Sequence, residues 1–370
     1  MNQPSASPDE TQPESQSRSM PQSPLRQLLS WLKWPIALSL IAWLGYQNRE
    51  QFERILSGEQ EVHWQFLAAA FALCMSSIVL TFFRWYLLVV ALDFPFLFRD
   101  ALRLGFLGYL FNYVAPGAVG GDAVKALVLA NEQTSRRAVA VATILLDRIL
   151  GLLALLMVGA GAALVVSADI EHRAKIVAVL WGGASAGLLG LTVMLSPAAR
   201  SRPVVALTRL PKVGGLFADL LDAVALYQSR RGVIVLTVLI SVVGHFGVIS
   251  SFYLCALAVS NSQMVPGYVA HLFLIPLAEI VGVIVPLPGG VGALEGAVQK
   301  SYEMAGANPQ VGFLAAGVYR LTTIVIAIVG AAFYVLQKRR IATLLASASD
   351  PDGDVPSADT GSIDDDLAKS

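Results

Sequence analysis

Long apolar runs are the feature that most restricts what this chain can fold into. A helix needs about 20 mostly apolar residues to cross the hydrocarbon core of a bilayer. Two further apolar stretches, 101–130 and 266–300, are interrupted by glycine and proline. The sequence therefore predicts an all-α polytopic membrane protein with about six full spans. The uninterrupted runs are 64–92, 138–166, 176–195, 233–259 and 311–336, and a shorter run, 28–46, contains Lys33 and Pro35.

Composition agrees with a bilayer and argues against a soluble globular domain. Charged residues make up 14% of the 370 positions, whereas soluble domains carry about 25%. Both cysteines, Cys74 and Cys255, lie within apolar runs, so no disulfide framework is expected. Without a Cys/His cluster at ligand spacing, neither a metal site nor a cofactor is expected.

The two ends differ in composition from the region between them. Residues 1–27 are rich in Ser, Pro and Gln and lack the features of a cleavable signal peptide, and residues 343–370 are acidic. We expect both to be disordered tails. The transmembrane domain is therefore predicted to occupy residues 28–342.

The distribution of basic residues sets the orientation. Segment 196–232 holds six Arg or Lys residues against two Asp, and Lys338, Arg339 and Arg340 follow the last run. The positive-inside rule places both segments, and hence both termini, in the cytoplasm. This topology is consistent only if stretch 101–130 returns to the cytoplasm and stretch 266–300 returns outside. We therefore expect two re-entrant hairpins that enter from opposite faces.

The two interrupted stretches also belong to an internal repeat. Arg148 follows Pro116 by 32 positions (148 − 116), and Arg320 follows Pro288 by the same 32 (320 − 288). The halves, about 64–166 and 233–336, are joined by a span and the basic segment 196–232. Inverted repeats with interrupted helices indicate a transporter-type site near the midplane. The alternative is that the glycines and prolines only allow close helix packing.

Each interruption offers a candidate anion site. A short helix that starts after a Gly-rich turn presents free N–H groups and the positive end of its dipole, which favour a phosphate. Asp122 and Glu295 stand in the first turns, either as working groups or as plain helix caps. The glycines concerned are Gly120 and Gly121 in PGAVGGD, and Gly289, Gly290 and Gly292 in PGGVGALE.

Arg148 and Arg320 are the strongest candidate ligand groups. Each lies about 15 Å along its span, close to the middle of the hydrocarbon core, where a charge usually faces a cavity or a partner. Arginine suits bidentate contact with phosphate. The structural alternative pairs Arg148 with Asp122 and Arg320 with Glu295. Asp147 points away from Arg148 on a helix, and the sequence does not identify its partner.

Other membrane-embedded polar residues carry weaker signals. Arg84 stands beside Trp85 and Tyr86, which favours anchoring at the interface over ligand binding. Glu279 is deep in its segment and could equally be a proton carrier or a hairpin clasp. His245 and His271 are expected to form helix-to-helix hydrogen bonds.

At these motifs the sequence resembles the lysylphosphatidylglycerol synthase transmembrane-region family of flippase-like membrane proteins. The match lies in FNYVAPGAVGGDAVKALVL and LLDRILGL, then in IVPLPGGVGALEGAV and the Tyr319-Arg320 pair. The resemblance implies a multi-pass inner-membrane protein of bacteria or archaea that handles lipids. The motif residues implied by position are Asn112, Pro116, Gly120, Gly121, Asp122, Asp147, Arg148, Pro288, Gly289, Gly290, Gly292, Glu295 and Arg320.

Two departures from the family pattern stand out. Only a short acidic segment follows the last span, where the synthases carry a soluble catalytic domain. Lys125 stands where arginine is expected, a mild change if the residue contacts phosphate.

The function expected from this resemblance is that of a lipid flippase or transporter without enzyme activity. Its partners would be anionic phospholipids or polyprenyl-phosphate-linked lipids, with no nucleic acid. The alternatives are a membrane-embedded enzyme, or a non-transporting accessory of a lipid-modifying or glycosyl-transferring enzyme.

Single-cysteine labelling tests the predicted hairpins. Cysteines placed at the turns of Pro116 and Pro288 should react poorly with membrane-impermeant reagents, and nearby loop positions should become accessible from opposite sides. Labelling of both turns at the water surface, or of both loops from one side, would contradict the re-entrant arrangement.

Overall fold

The architecture is helical throughout the described chain. A computed structural model describes residues 62–114, 120–132, 137–167, 169–201, 225–260, 265–285 and 287–349, together with isolated positions at 46, 49, 53 and within 205–221. All regular secondary structure in these ranges is helical, which confirms the predicted all-α class. The helices are α1 Trp64–Val90, α2 Phe98–Val114, α3 Gly120–Glu132, α4 Arg137–Ala162, α5 Arg173–Met194, α6 Arg231–Val259, α7 Tyr268–Ile284, α8 Ala293–Met304 and α9 Pro309–Ser349.

Within the described residues, five helical segments are long and apolar enough to cross a membrane. They match the five uninterrupted apolar runs, so the chain is a multi-pass membrane protein. The predicted span 28–46, apart from Tyr46, and the turn at Pro116 lie outside the described residues. Helix α9 continues to Ser349, so residues 343–349 of the predicted C-terminal tail are helical. The five segments are Trp64–Val90, Val141–Ala162, Arg173–Met194, Ala225–Val259 and Pro309–Ala332.

Two pairs of shorter helices correspond to the interrupted stretches. Helices α2 and α7 have 17 residues each, α3 has 13 and α8 has 12. At 1.5 Å per residue they are about 18 to 26 Å long, shorter than a hydrocarbon core of about 30 Å. Helix α2 packs against α3, and α7 packs against α8. A 3₁₀ turn, Pro288–Gly290, connects the second pair.

Helices α1 and α6 form the most extensive packing contact in the described chain. Small residues allow this approach: the Ser251 hydroxyl donates to the Ala70 carbonyl at 2.8 Å, and Gly247 of α6 lies directly against Ser77 of α1. Close contact between small residues is a common mode of helix association in membranes.

Helix α5 is peripheral. Only 11% of the most apolar 18-residue segment of this helix is buried within the protein, and Trp181, Leu188 and Leu189 are exposed. Such a surface is stable where lipid tails replace protein contacts, which agrees with a membrane location.

Gly121 provides a test of the packing within the first helix pair. A Cβ at this position would collide with the carbonyl oxygen of Gly108 on α2. We expect Gly121→Ala to destabilise the protein by about 1–3 kcal/mol, the usual cost of overpacking. Thermal unfolding in detergent measures the effect.

Gly182→Ala on α5 is the matched control, because no atom of a neighbouring helix lies within 4 Å of the added Cβ. We expect it to be neutral or to stabilise α5 by about 0.5–1 kcal/mol. Equal unfolding temperatures for the two variants would contradict the close α2–α3 contact.

Candidate functional site

The first helix pair places a carboxylate between two cations. Arg148 of α4 donates its Nε–H to Asp122 Oδ2 at 2.5 Å, and Lys125 Nζ lies 3.4 Å from Asp122 Oδ1. The Gly121 amide donates to Asn112 Oδ1 at 3.0 Å, which fixes the start of α3 against α2. Gly120 opens α3, as its place in the motif predicted. Asp122 is thus shared by two positive side chains.

The second helix pair holds its arginine much more tightly. The Nε–H of Arg320 on α9 donates to Glu295 Oε1, and its Nη2 group donates to Glu295 Oε2 at 3.2 Å. Arg320 Nη1 also donates to the Gly289 carbonyl at 2.6 Å, and Nη2 lies 3.3 Å from the Gly290 carbonyl. Glu295 Oε2 caps α8 by accepting the Gly292 amide at 2.7 Å. The guanidinium therefore clasps the turn that precedes α8.

Glycine is required in this turn. Gly289, Gly290 and Gly292 have φ angles of 59°, 64° and 83°, in the left-handed region that residues with a Cβ rarely adopt. A Cβ on Gly290 would also meet the carbonyl oxygen of Gly282 on α7. The turn that starts at Pro288 therefore packs its backbone directly against α7.

The two arginines differ in exposure although they occupy equivalent sequence positions. The Arg320 side chain is 9% exposed, whereas that of Arg148 is 45% exposed. Within the described residues, Asp122 is the hydrogen-bond partner of Arg148, which leaves its two Nη groups available. Both ion pairs of the structural alternative are therefore present, and Arg148 differs from Arg320 in having Nη groups that form no hydrogen bond within the described residues.

A cavity of about 210 Å³ lies between the two helix pairs and reaches Arg148. Its wall combines aromatic rings with a few polar groups, a lining typical of ligand sites. Phe252 and Tyr319 stack on one another with centroids 3.8 Å apart. The lining residues are Tyr109, Asn112, Tyr113, Arg148, Phe252, Glu279, Gly282, Val283, Gly289, Leu294 and Tyr319.

A second cavity, of about 140 Å³, shares part of this wall. Tyr109, Asn112 and Arg148 line both cavities, and Lys125 lines the second. Arg148 therefore stands at the junction of two adjacent spaces.

The prediction that Arg84 anchors the chain at the membrane–water interface is wrong. Its Nε and Nη2 groups donate to the two Asp147 oxygens at 2.7 and 2.8 Å, and Nη1 donates to the Ser241 hydroxyl at 2.6 Å. Arg84 is 5% exposed. The side chain lies on the face of α1 that meets α4 and α6, where Asp147 supplies the opposite charge. Asp147 thus belongs to a buried pair that joins three helices.

Both membrane histidines form the predicted helix-to-helix hydrogen bonds. His271 Nε2 lies 2.8 Å from the Tyr302 hydroxyl, between α7 and α8. His245 Nε2 lies 3.0 Å from the Gly151 carbonyl, between α6 and α4. Among the described residues, no group of three or more His, Cys, Asp or Glu side chains has the geometry of a metal site.

Comparison with known proteins gives one match. A family model described as the lysylphosphatidylglycerol synthase TM region matches residues 30–330, a range that contains every candidate site residue. No solved structure and no protein of curated function matches the chain.

The unequal exposure of the two arginines predicts unequal effects on stability. Arg320→Ala leaves Glu295 buried without its counter-charge, and we expect a loss of about 3–5 kcal/mol. Arg148→Ala should cost much less, because its side chain is half exposed and Lys125 remains beside Asp122. Unfolding in detergent, followed by circular dichroism, measures both variants, and equal losses would contradict the difference between the two pairs.

Proposed function

The chain belongs to the lysylphosphatidylglycerol synthase TM region family, and on this basis we propose that it is a lipid flippase or transporter rather than an enzyme. In this proposal, the phosphate-bearing headgroup of a membrane lipid binds in the cavity between the two helix pairs. The observation that carries the proposal is the half-exposed guanidinium of Arg148 in the cavity wall.

The depth of Arg148 supports a role in ligand binding. It lies 11 residues after Arg137, the first residue of α4, and thus about 16 Å along the helix. A charge at such depth is costly unless it serves a partner or a ligand. The free Nη groups of an arginine can contact two phosphate oxygens at once.

The charge balance around Arg148 also favours an anion. Arg84 is matched by Asp147, and Arg320 is matched by Glu295. Asp122 faces two cations, Arg148 and Lys125, so this cluster carries one excess positive charge. In a cavity with low-dielectric walls such an excess attracts anions strongly.

Helix correspondence supports an inverted repeat with two re-entrant hairpins. The offset of 172 residues (288 − 116) carries the first residue of α4, Arg137, onto that of α9, Pro309, and places the starts of α2 and α3 within two residues of those of α7 and α8. The packing follows the same correspondence, since α2 packs against α9 and α7 packs against α4. We propose that each hairpin packs against the final span of the other half, with both termini in the cytoplasm and the protein in the inner membrane.

The proposed substrate is an anionic phospholipid or a polyprenyl-phosphate-linked lipid. Its charged head would pass through the cavity by way of Arg148, and its hydrocarbon chains would remain in the bilayer. The stacked rings of Phe252 and Tyr319 provide an apolar wall beside that path.

Lipid movement in proteoliposomes tests this function. The assay follows fluorescent anionic phospholipid and, separately, polyprenyl phosphate as they become accessible to a membrane-impermeant quencher. We expect Arg148→Ala to lower the rate at least about tenfold, the equivalent of 1.4 kcal/mol, and Arg148→Lys to retain part of it through the charge alone.

Arg231→Ala, which removes an exposed arginine at the start of α6, is the matched control and should transport like the wild type. Wild-type rates in folded Arg148→Ala protein would contradict the proposed function.

A further inference from the structure

Glu279 differs from the other carboxylates around the cavity. Asp122, Asp147 and Glu295 each form an ion pair with an arginine. Glu279 of α7 lines the same cavity with a side chain that is 16% exposed, and the ion-pair partner in the described chain is His245 of α6, 3.8 Å away. This carboxylate therefore faces a group whose own charge depends on protonation.

The hydrogen bonds of His245 determine where a proton can bind. Its Nε2 atom lies 3.0 Å from the Gly151 carbonyl, which can only accept, so Nε2 carries the hydrogen. Nδ1 is buried and has no hydrogen-bond partner within the described residues. In the neutral ring Nδ1 is a lone pair, and it faces the Glu279 carboxylate Oε2 at 3.8 Å. Two acceptors thus face each other, and one proton between them turns repulsion into attraction.

We propose that Glu279 and His245 together bind one exchangeable proton, and that this proton is taken up from water when an anionic headgroup binds at Arg148. The inference rests on the proposed function, because it needs an anion in the cavity. It also selects the proton carrier over the hairpin clasp as the role of Glu279.

The remaining charged and titratable groups near the pair hold their charge. Arg84 is neutralised by Asp147, and Glu295 of α8 is neutralised by Arg320 of α9. The other neighbours are phenols and a thiol, which are neutral near pH 7: Tyr109 and Tyr113 of α2, Tyr319 of α9 and Cys74 of α1. Arg148 of α4 remains the permanent positive charge in the shared cavity, so Glu279 and His245 are the groups whose charge can change.

Electrostatics sets the direction of the coupling. An ionised Glu279 repels an anion in the same cavity, and protonation of the pair removes that repulsion. Headgroup binding and proton binding therefore strengthen each other by the same factor. Above the pH at which the pair titrates, anion affinity should fall by up to about tenfold per pH unit, the limit for one linked proton.

The test measures binding of dihexanoyl phosphatidylglycerol to the purified full-length protein in neutral detergent, from about pH 5 to about pH 9, a range that brackets histidine titration. Wild-type affinity should fall as pH rises. Glu279→Gln, which is permanently neutral and nearly the same size, should bind with an affinity that varies much less with pH than that of the wild type. Glu303→Gln is the control, because Glu303 is exposed and pairs with Lys300 at 3.0 Å, and it should follow the wild type.

The outcomes separate the two proposals. If Arg148→Ala abolishes binding but wild-type affinity does not vary with pH, or varies equally in Glu279→Gln, the proton site is wrong and the headgroup site stands. If the wild type does not bind the probe, or Arg148→Ala binds like the wild type, the headgroup site is wrong.

A second measurement needs no lipid. Infrared difference spectra between acidic and alkaline buffer should contain a carboxylic-acid band that Glu279→Gln removes and Glu303→Gln retains. Persistence of the whole band in Glu279→Gln would overturn the proton site.

Discussion

The need to neutralise charge inside a bilayer governs this structure. An isolated ion in hydrocarbon is expensive, so charged side chains persist there only beside partners or ligands. Arg84 binds Asp147 and Ser241, and this buried contact joins α1, α4 and α6. Buried polar contacts therefore help to specify which helices meet, together with the close packing of small residues.

The two arginine–carboxylate pairs differ in how many donors of the guanidinium form hydrogen bonds within the protein. Arg320 forms hydrogen bonds to Glu295 and to the carbonyls of the glycine turn, and these bonds close the second helix pair, α7 and α8. Arg148 shares Asp122 with Lys125 and keeps donors toward the cavity. The Arg320–Glu295 pair holds a non-helical turn, whereas the Arg148 guanidinium remains half exposed in the cavity wall.

The glycine-rich segments meet a similar constraint, which concerns the polar groups of the backbone. Interrupted helices within a membrane must still satisfy their N–H and C=O groups. Asn112 receives the amide of Gly121, Glu295 receives that of Gly292, and Arg320 donates to the Gly289 carbonyl. The close approach of Gly290 to the Gly282 carbonyl is possible only because Gly290 has no side chain. The same residues that allow the interruptions therefore shape the cavity between them.

The sequence by itself determined the helical class and the five described spans, and it offered the pairing of Arg148 with Asp122 and of Arg320 with Glu295 as one of two alternatives. Apolar length is a local property, and the acidic residue and the arginine recur at fixed spacing within each half. Contacts between distant segments were decided only by the tertiary structure. The role of Arg84 was predicted wrongly because its partner Asp147 lies 63 positions away in the sequence. Local sequence also does not indicate the unequal exposure of the two arginines or the approach of Glu279 to His245. The packing of α4, α6 and α7 around one cavity determines which of these charged groups lie close to one another.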